Sequence, residues 1–291
     1  MAGTIMVGFD GSPSAQKALD WALRRAETAG NDVVVLYVAD TSWDSDAFTA
    51  APMLQGHGEV VLAGAAFHAD SKAPHVTVTS RVATGNPVAV LCAEAEAAGA
   101  ELLVVGSYRK DLYERITTSA VSVRVAAAAT VPVAVIPDLP HEHRRGVVVG
   151  IDGAESSVAV LEAAVVEARL SGEPLLVLAA WTLPPTAQND FADTAELARA
   201  LELRADDVVI GALEKLDAHA PGLRDGVEIA TSVVFDSPVS ALLEAAKDAT
   251  ALVVGSHGRR GLTRFLLGSV SHDVIVHAPC PVIVRRVTDP R

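Results

Sequence analysis

Several features that mark other classes of protein are scarce or missing in this 291-residue sequence. Aromatic residues make up only 4% of it, so its apolar residues are mainly Val, Leu, Ile and Ala. No apolar run reaches the roughly 18 residues that a transmembrane helix needs, and no targeting-peptide pattern stands at the start. We therefore expect a soluble, cytoplasmic protein that has no membrane partner.

Positive charge is also in short supply. Lys and Arg number 23 against 36 Asp and Glu, which gives a formal net charge of −13. Proteins that bind nucleic acid concentrate positive charge to contact the phosphates. The charge balance therefore argues against a nucleic-acid partner.

Motifs of the best-known catalytic sites are absent as well. The sequence has no G-x4-G-K-[ST] loop, kinase signature, G-x-S-x-G elbow, zinc constellation or CxxC redox pair. Its two cysteines, Cys92 and Cys280, lie in different halves and are poor candidates for a disulfide. We expect both to be buried small apolar residues.

What the sequence does contain is a long internal repeat. The segment IMVGFDGS around Asp10 recurs as VVVGIDGA around Asp152, and LLVVGS at Gly106 recurs as ALVVGS at Gly255. Solenoid repeats are only a few tens of residues long, so this period indicates two copies of a whole domain. We predict domains over 1–138 and 146–291.

The segment between the domains, 139–145, is interpreted as a linker because it is polar and charged and has two prolines, Pro137 and Pro140, at or just before its start. His141 and His143 lie in it. They are interpreted as part of a solvated hinge, with a metal-binding pair as the alternative.

Each copy alternates apolar strands with helical periodicity, which predicts an α/β fold: two doubly wound domains, each with a mainly parallel five-stranded sheet flanked by helices. Predicted strands are 4–9, 33–39, 76–82, 102–105 and 131–136 in the first copy, and 147–151, 175–180, 227–235, 252–254 and a terminal strand after 279 in the second. Predicted helices are 15–29, 60–73, 88–98, 117–128, 156–170 and 192–219. Residues 40–58, including His57, are predicted to form a polar loop.

The most informative stretch follows the fourth strand of the second copy. Gly255 and Gly258 form a tight turn after the strand, and nine residues later Gly268 and Ser269 open a helix. A helix start carries unpaired amides and partial positive charge, which together attract an anion. The turn and helix start are therefore interpreted as a cradle for a polyphosphate. The alternative is that these glycines only shape a turn and allow close packing.

In doubly wound sheets, ligands bind beyond the carboxyl ends of the strands where the winding direction switches. A nucleotide fits this place in the second copy, with its base against Ala180 at the end of strand two and its ribose near Asp152. Its phosphates would lie over the glycine-rich segment. The alternative role for Asp152 is to cap the following helix beside Gly153.

The sequence resembles a tandem universal stress protein of the ATP-binding branch. The resemblance rests on Asp10 and Asp152 and on a G-x2-G-x9-G-[ST] motif in the second copy. Two further pairs support it, Asn86-Pro87 with Ser237-Pro238 and Pro132-Val133 with Pro281-Val282. The resemblance implies ATP held through backbone amides, Mg²⁺ arriving with the phosphates, and a homodimer formed through the last strands. The implied binding residues are Asp152, Ala180, Val254, Gly255, Gly258, Gly268, Ser269 and Val270 in the second copy, and Asp10, Val38, Gly106 and Ser119 in the first.

The two copies differ in the glycine motif. Arg109 stands where the second copy has Gly258, and Ser119-Ala120 stands where it has Gly268-Ser269. We expect the second copy to bind nucleotide and the first to bind weakly or not at all. The alternative is that basic residues of the first copy attract the anion instead. These residues are Arg109, Lys110 and Arg115.

Basic residues inside the second motif also allow two interpretations. Arg259, Arg260 and Arg264 either form a solvated loop or steer phosphates into the site. His257 is interpreted as a loop residue rather than a catalyst. Without a recognisable catalytic motif, we expect a nucleotide-binding regulatory protein with slow or absent hydrolysis and an unknown protein partner. An ATP-using enzyme and a nucleotide-independent scaffold remain the alternatives.

Overall fold

The computed structural model describes residues 3–42, 50–107, 121–139, 144–183, 191–256 and 267–286. The chain divides into two compact units. The first contains the described residues up to Leu139, and the second contains nearly all of those from Arg144 onward.

The first unit alternates strands and helices. Its elements are β1 (Thr4–Gly8), α1 (Pro13–Ala29), β2 (Asp32–Ala39), α2 (Ala51–Lys72), β3 (Val78–Thr84), α3 (Pro87–Ala97), β4 (Leu102–Ser107), α4 (Val121–Ala128) and β5 (Val133–Pro137). The strand order is β3-β2-β1-β4-β5, and each neighbouring pair is parallel. This is the order of a doubly wound sheet.

The second unit repeats the pattern. Its elements are β6 (Val147–Gly150), α5 (Ser157–Ser171), β7 (Leu175–Trp181), α6 (Phe191–His219), β8 (Ile229–Phe235), α7 (Pro238–Ala245), β9 (Ala251–Gly255), α8 (Ser269–His277) and β10 (Val282–Arg285). The strand order is β10-β9-β6-β7-β8, again parallel throughout. The predicted fold class is confirmed.

Burial explains why the central strands read as continuous apolar runs. Ile5, Met6 and Val7 in β1 are at most 1% exposed, because helices cover both faces of the sheet. The outermost strand β3 is half-buried or exposed along its whole length. The sequence from residue 76 to 82 alternates between apolar and polar residues, as expected for a strand at the edge of a sheet.

Local capping sets several helix starts. The Ser12 side chain accepts a hydrogen bond of 3.2 Å from the amide of Ala15, and Pro13 is the first helical residue. Asn86 and Ser237 cap α3 and α7 in the same way, each followed by a proline. Ser12 rather than Ser14 is therefore the N-cap residue of α1.

The prediction of a loop over 40–58 is wrong in its second half. Helix α2 begins at Ala51, nine residues before its predicted start. Gly56 and Gly58 suggested a loop, but a Cβ on Gly58 would lie 2.4 Å from the Tyr37 ring. Glycine at 58 therefore lets the helix pack on β2. His57 is exposed as expected, but it lies on this helix with its ring 6.2 Å from that of Tyr37.

The two cysteines differ in their surroundings. Cys280 is fully buried and Cys92 is half-buried, and neither forms a disulfide. The expectation of burial is therefore confirmed only for Cys280. Burial raises the pKa of the Cys280 thiol to about 12, with a smaller opposing effect from Arg144. Across the described ranges, none of the helices has the length and apolar character to cross a membrane.

Candidate functional site

The topology of the second unit defines where its site lies. Strand β6 lies between β9 and β7, and the winding direction changes between β6 and β9. The carboxyl ends of these two strands therefore border a crevice, which is where doubly wound sheets bind ligands. Asp152 follows β6 and Ser256 follows β9.

The turn after β6 is held by the Asp152 carboxylate. Its Oδ1 atom accepts hydrogen bonds from the Ala154 amide (3.0 Å) and the Ser157 hydroxyl (3.1 Å). The Gly153 amide donates to the same hydroxyl oxygen at 3.2 Å, and Gly153 has a left-handed φ of 78°. Asp152 therefore organises the start of α5, and it remains exposed at the strand end.

The two ends of the glycine motif meet after β9. The Gly268 amide donates a 2.8 Å hydrogen bond to the carbonyl oxygen of Ser256, and the Ser271 hydroxyl donates to the carbonyl of Gly255. Ser256 and Ser271 are only 1% and 5% exposed. The start of α8 is therefore fixed against the carboxyl end of β9.

Helix α8 begins without a side-chain cap. Gly268 is its N-cap residue, and the first hydrogen bond of the helix runs from the His272 amide to the Gly268 carbonyl at 2.9 Å. Within the described ranges, the amides of Ser269 and Val270 donate to no protein acceptor. Gly268 has φ −61° and ψ 149°, a conformation open to any residue. The backbone conformation therefore does not itself require a glycine at this position.

An aromatic pair that was not predicted from the sequence borders the same end of the sheet. Trp181 at the end of β7 and Phe235 at the end of β8 have ring centroids 4.7 Å apart, and Phe235 is 62% exposed. Ala180, the residue expected to contact a base, directly precedes Trp181 and is half-buried. The corresponding positions of the first unit carry Ala39 and Thr84, which pair across β2 and β3. The only sequence signal was therefore this difference between the copies.

The first unit has a related but different arrangement. The Asp10 carboxylate accepts a 2.9 Å hydrogen bond from the Ser12 amide and also lies near the buried Tyr37. Burial raises the pKa of Tyr37, and the charge of Asp10 adds to the effect. A Cβ on Gly106 would lie 2.4 Å from the backbone of Ser14, so this glycine allows α1 to pack against β4. Val38 is half-buried.

Several residues singled out from the sequence lie outside the described part of the chain. They are Arg109, Lys110, Arg115, Ser119, Ala120, His141, His143, His257, Gly258, Arg259, Arg260 and Arg264. Among the residues that are described, no group of three or more His, Cys, Asp or Glu side chains is placed to hold a metal ion.

Comparison with known proteins identifies the family. The model of the universal stress protein family matches residues 1–137 and again 143–286. The chain belongs to the universal stress protein family. It contains the family domain twice, so the resemblance to a tandem universal stress protein is confirmed.

Curated universal stress proteins match over nearly their full length. Universal stress protein Rv2005c of Mycobacterium tuberculosis is 30% identical over 301 residues, covering 97% of this chain and 96% of its own. Universal stress protein Rv1996 of the same organism is 32% identical over 307 residues, with 97% and 95% covered. The crystal structure of a universal stress protein from Archaeoglobus fulgidus has a TM-score of 0.71 at 22% identity, covering 98% of this chain and 97% of its own. That likeness supports the fold.

Proposed function

We propose that the second unit binds ATP at the crevice between β6 and β9 and acts as a nucleotide-dependent regulatory module. The observation that carries the proposal is the uncapped start of α8. The amides of Ser269 and Val270 have no protein acceptor among the described residues, and the Gly268–Ser256 hydrogen bond fixes them beside the end of β9. Amides at such a helix start bind phosphate oxygens well.

The rest of the nucleotide follows from the neighbouring strand ends. The ribose would lie near the exposed Asp152 carboxylate, whose Oδ1 atom already supports the turn. The base would lie at Ala180, with Trp181 next to it at the strand end. Val254, Gly255 and Gly258 would complete the phosphate side. The choice of ATP over other nucleotides rests on the family resemblance.

Magnesium would enter with the phosphates rather than bind to a protein cage. Mg²⁺ commonly keeps several waters and takes one or two carboxylates together with phosphate oxygens. The described residues offer no cluster of three ligating side chains, and Asp152 is the carboxylate at the end of β6. The residues present therefore fit an ion coordinated mainly by phosphate and water.

The first unit is proposed to bind nucleotide weakly or not at all. Its motif has Arg109 and Ser119-Ala120 in place of the glycines and serine of the second copy. Its Gly106 has a packing role against Ser14, which by itself accounts for a glycine there. The cytoplasmic location, an unknown partner protein and a homodimer through the last strands remain predictions.

Calorimetry with Mg-ATP tests the proposal directly. We expect one site per chain, and Gly268→Glu should abolish it because a carboxylate would occupy the space in front of the amides. Gly211→Glu is the matched control, because a Cβ at Gly211 meets open space on α6. Equal binding by both variants, or two equivalent sites, would contradict the proposal. Steady ATP turnover with a small acceptor would indicate an enzyme, and no binding by the wild type would indicate a scaffold.

A further inference from the structure

Helix α2 of the first unit exposes an apolar stripe. Met53, Val60 and Phe67 are 70%, 72% and 79% exposed, and they are spaced seven residues apart. Residues at this spacing lie along one side of a helix, as in the contact seam of a coiled coil. The three side chains therefore lie in one line along the exposed side of the helix, about 10 Å apart, and are called the stripe below.

The second unit shows that the fold does not require this stripe. Helix α6 occupies the same place in the repeat as α2, and their buried residues set the correspondence. The matching buried pairs are Leu62 with Val209, Ala65 with Ala212, and Ala69 with Leu216. In the same register, Val60 corresponds to Asp207 and Phe67 to Glu214. One copy thus carries acidic residues where the other exposes large apolar ones.

The stripe is also symmetrical about Val60. Gly56 and Gly64 lie four residues before and after it, and a Cβ on either glycine would meet open space. Met53 and Phe67 lie seven residues before and after it. A second α2 helix running antiparallel would place Val60 on Val60, each glycine opposite a glycine, and Met53 opposite Phe67. A twofold interface requires this kind of self-complementary surface.

Charge favours a second copy as the occupant. A chain with net charge −13 repels its own copies, so self-association is least opposed where the surface is uncharged. No residue of the stripe is charged, and Lys, Arg, Asp and Glu occur in α2 only as Glu59, Asp70 and Lys72. The antiparallel arrangement places Glu59 opposite Val61 rather than opposite a charge.

We propose that α2 pairs with α2 of a second copy of this chain, antiparallel about a twofold axis at Val60. A fully buried aromatic side chain supplies only about 150–250 Å², so three side chains give at most about 450–750 Å², which is less than the roughly 800 Å² per partner buried in stable complexes. The dimer is therefore reversible and concentration dependent. Higher salt strengthens it, because salt screens the repulsion between two acidic copies.

Sedimentation equilibrium from about 1 μM to about 1 mM protein tests the pairing. Val60→Asp combined with Phe67→Glu places on α2 the residues that α6 carries, so the fold should tolerate them. We expect this variant to dimerise at least about tenfold more weakly. Leu203→Asp combined with Ile210→Glu adds the same charge to exposed apolar positions of α6 and should leave the dimer unchanged. A monomeric wild type, or equal weakening by both variants, overturns the proposal. A dimer that survives the α2 variant with unchanged affinity also overturns it, and favours the homodimer through the last strands instead.

Cross-linking tests the direction of the helices. In a Cys92→Ser background, Met53→Cys and Phe67→Cys variants are mixed and oxidised. The antiparallel pair brings position 53 of one copy to position 67 of the other, so the mixture should form a disulfide-linked heterodimer. Met53→Cys alone should not link, because its two copies would lie about 21 Å apart along the helices. Linking of Met53→Cys to itself, or no linking in the mixture, rules out the antiparallel pair.

Discussion

The amide of Gly268 donates a hydrogen bond of 2.8 Å to the carbonyl oxygen of Ser256. This bond joins two parts of the glycine motif that are twelve positions apart in the sequence. It fixes the start of α8 beside the end of β9, so the open amides of the helix lie at the switch point of the sheet.

The Ser271 hydroxyl is predicted to stabilise this junction. It is buried and donates to the carbonyl of Gly255, so Ser271→Ala leaves that carbonyl without this donor. We expect a loss of about 1–2 kcal/mol in the free energy of unfolding, measured by urea denaturation. Ser269→Ala removes an exposed hydroxyl two residues earlier and should change stability by less than about 0.5 kcal/mol. Equal effects would show that the buried bond does not stabilise the junction.

Asp152 is predicted to have two separable roles. Its Oδ1 atom accepts two hydrogen bonds that hold the turn before α5, and Asp152→Asn can preserve an acceptor while removing the charge. We expect its thermal stability to stay close to wild type and its affinity for Mg-ATP in calorimetry to fall about tenfold. Asp152→Ala removes the acceptor and should lower both the thermal stability and the affinity for Mg-ATP. If the asparagine variant binds ATP normally, Asp152 has only the structural role.

The strands of the sheet were predictable because each one is marked by its own short stretch of sequence. Runs such as Leu102–Val105 are apolar at every position, as expected for strands covered on both faces, and the repeat supplied a second reading of each element. The start of α2 was not predictable in this way. Gly58 suggests a loop when read by itself, and only its contact with Tyr37, distant in sequence, explains a glycine inside a helix.

The residues of the candidate site were likewise only partly predictable. Asp152 and the glycines could be selected from the sequence because they recur at fixed places in a repeat and a motif. The residues that contact and orient them could not be selected from the sequence. Ser157 looks like any serine at a helix start, and Trp181 lies 54 residues from Phe235, which it meets only because β7 and β8 pair. Long-range pairing leaves no local pattern to read.

Gly106 is predicted to tolerate no side chain. A Cβ there would lie 2.4 Å from the carbonyl carbon and oxygen of Ser14, and backbone atoms cannot move aside as a flexible side chain can. Gly106→Ala should therefore destabilise the first unit by about 1–3 kcal/mol in chemical denaturation. Gly211→Ala is the matched control, because its Cβ meets open space within α6. It should be neutral or stabilise the protein by up to about 1 kcal/mol. Similar losses of stability in Gly106→Ala and Gly211→Ala would contradict the packing role of Gly106.

The buried Cys280 is predicted to make stability fall at alkaline pH. Burial raises the pKa of this thiol from 9.0 to about 12 in the folded protein. Between these values the unfolded chain loses the proton and the folded chain keeps it, so the contribution to stability is complete below pH 9 and is lost as the pH rises toward 12. The loss in the free energy of unfolding approaches about 1.4 kcal/mol per pH unit.

Chemical denaturation at pH 8, 9, 10 and 10.5 tests this prediction. The free energy of unfolding should decline less steeply with pH for Cys280→Ala than for the wild type, after allowance for the constant cost of the cavity that the substitution leaves. Cys92→Ala, at a half-buried position, provides the comparison. Parallel declines for the wild type and Cys280→Ala would mean that the thiol ionises equally in the folded and unfolded states, which the complete burial of Cys280 argues against.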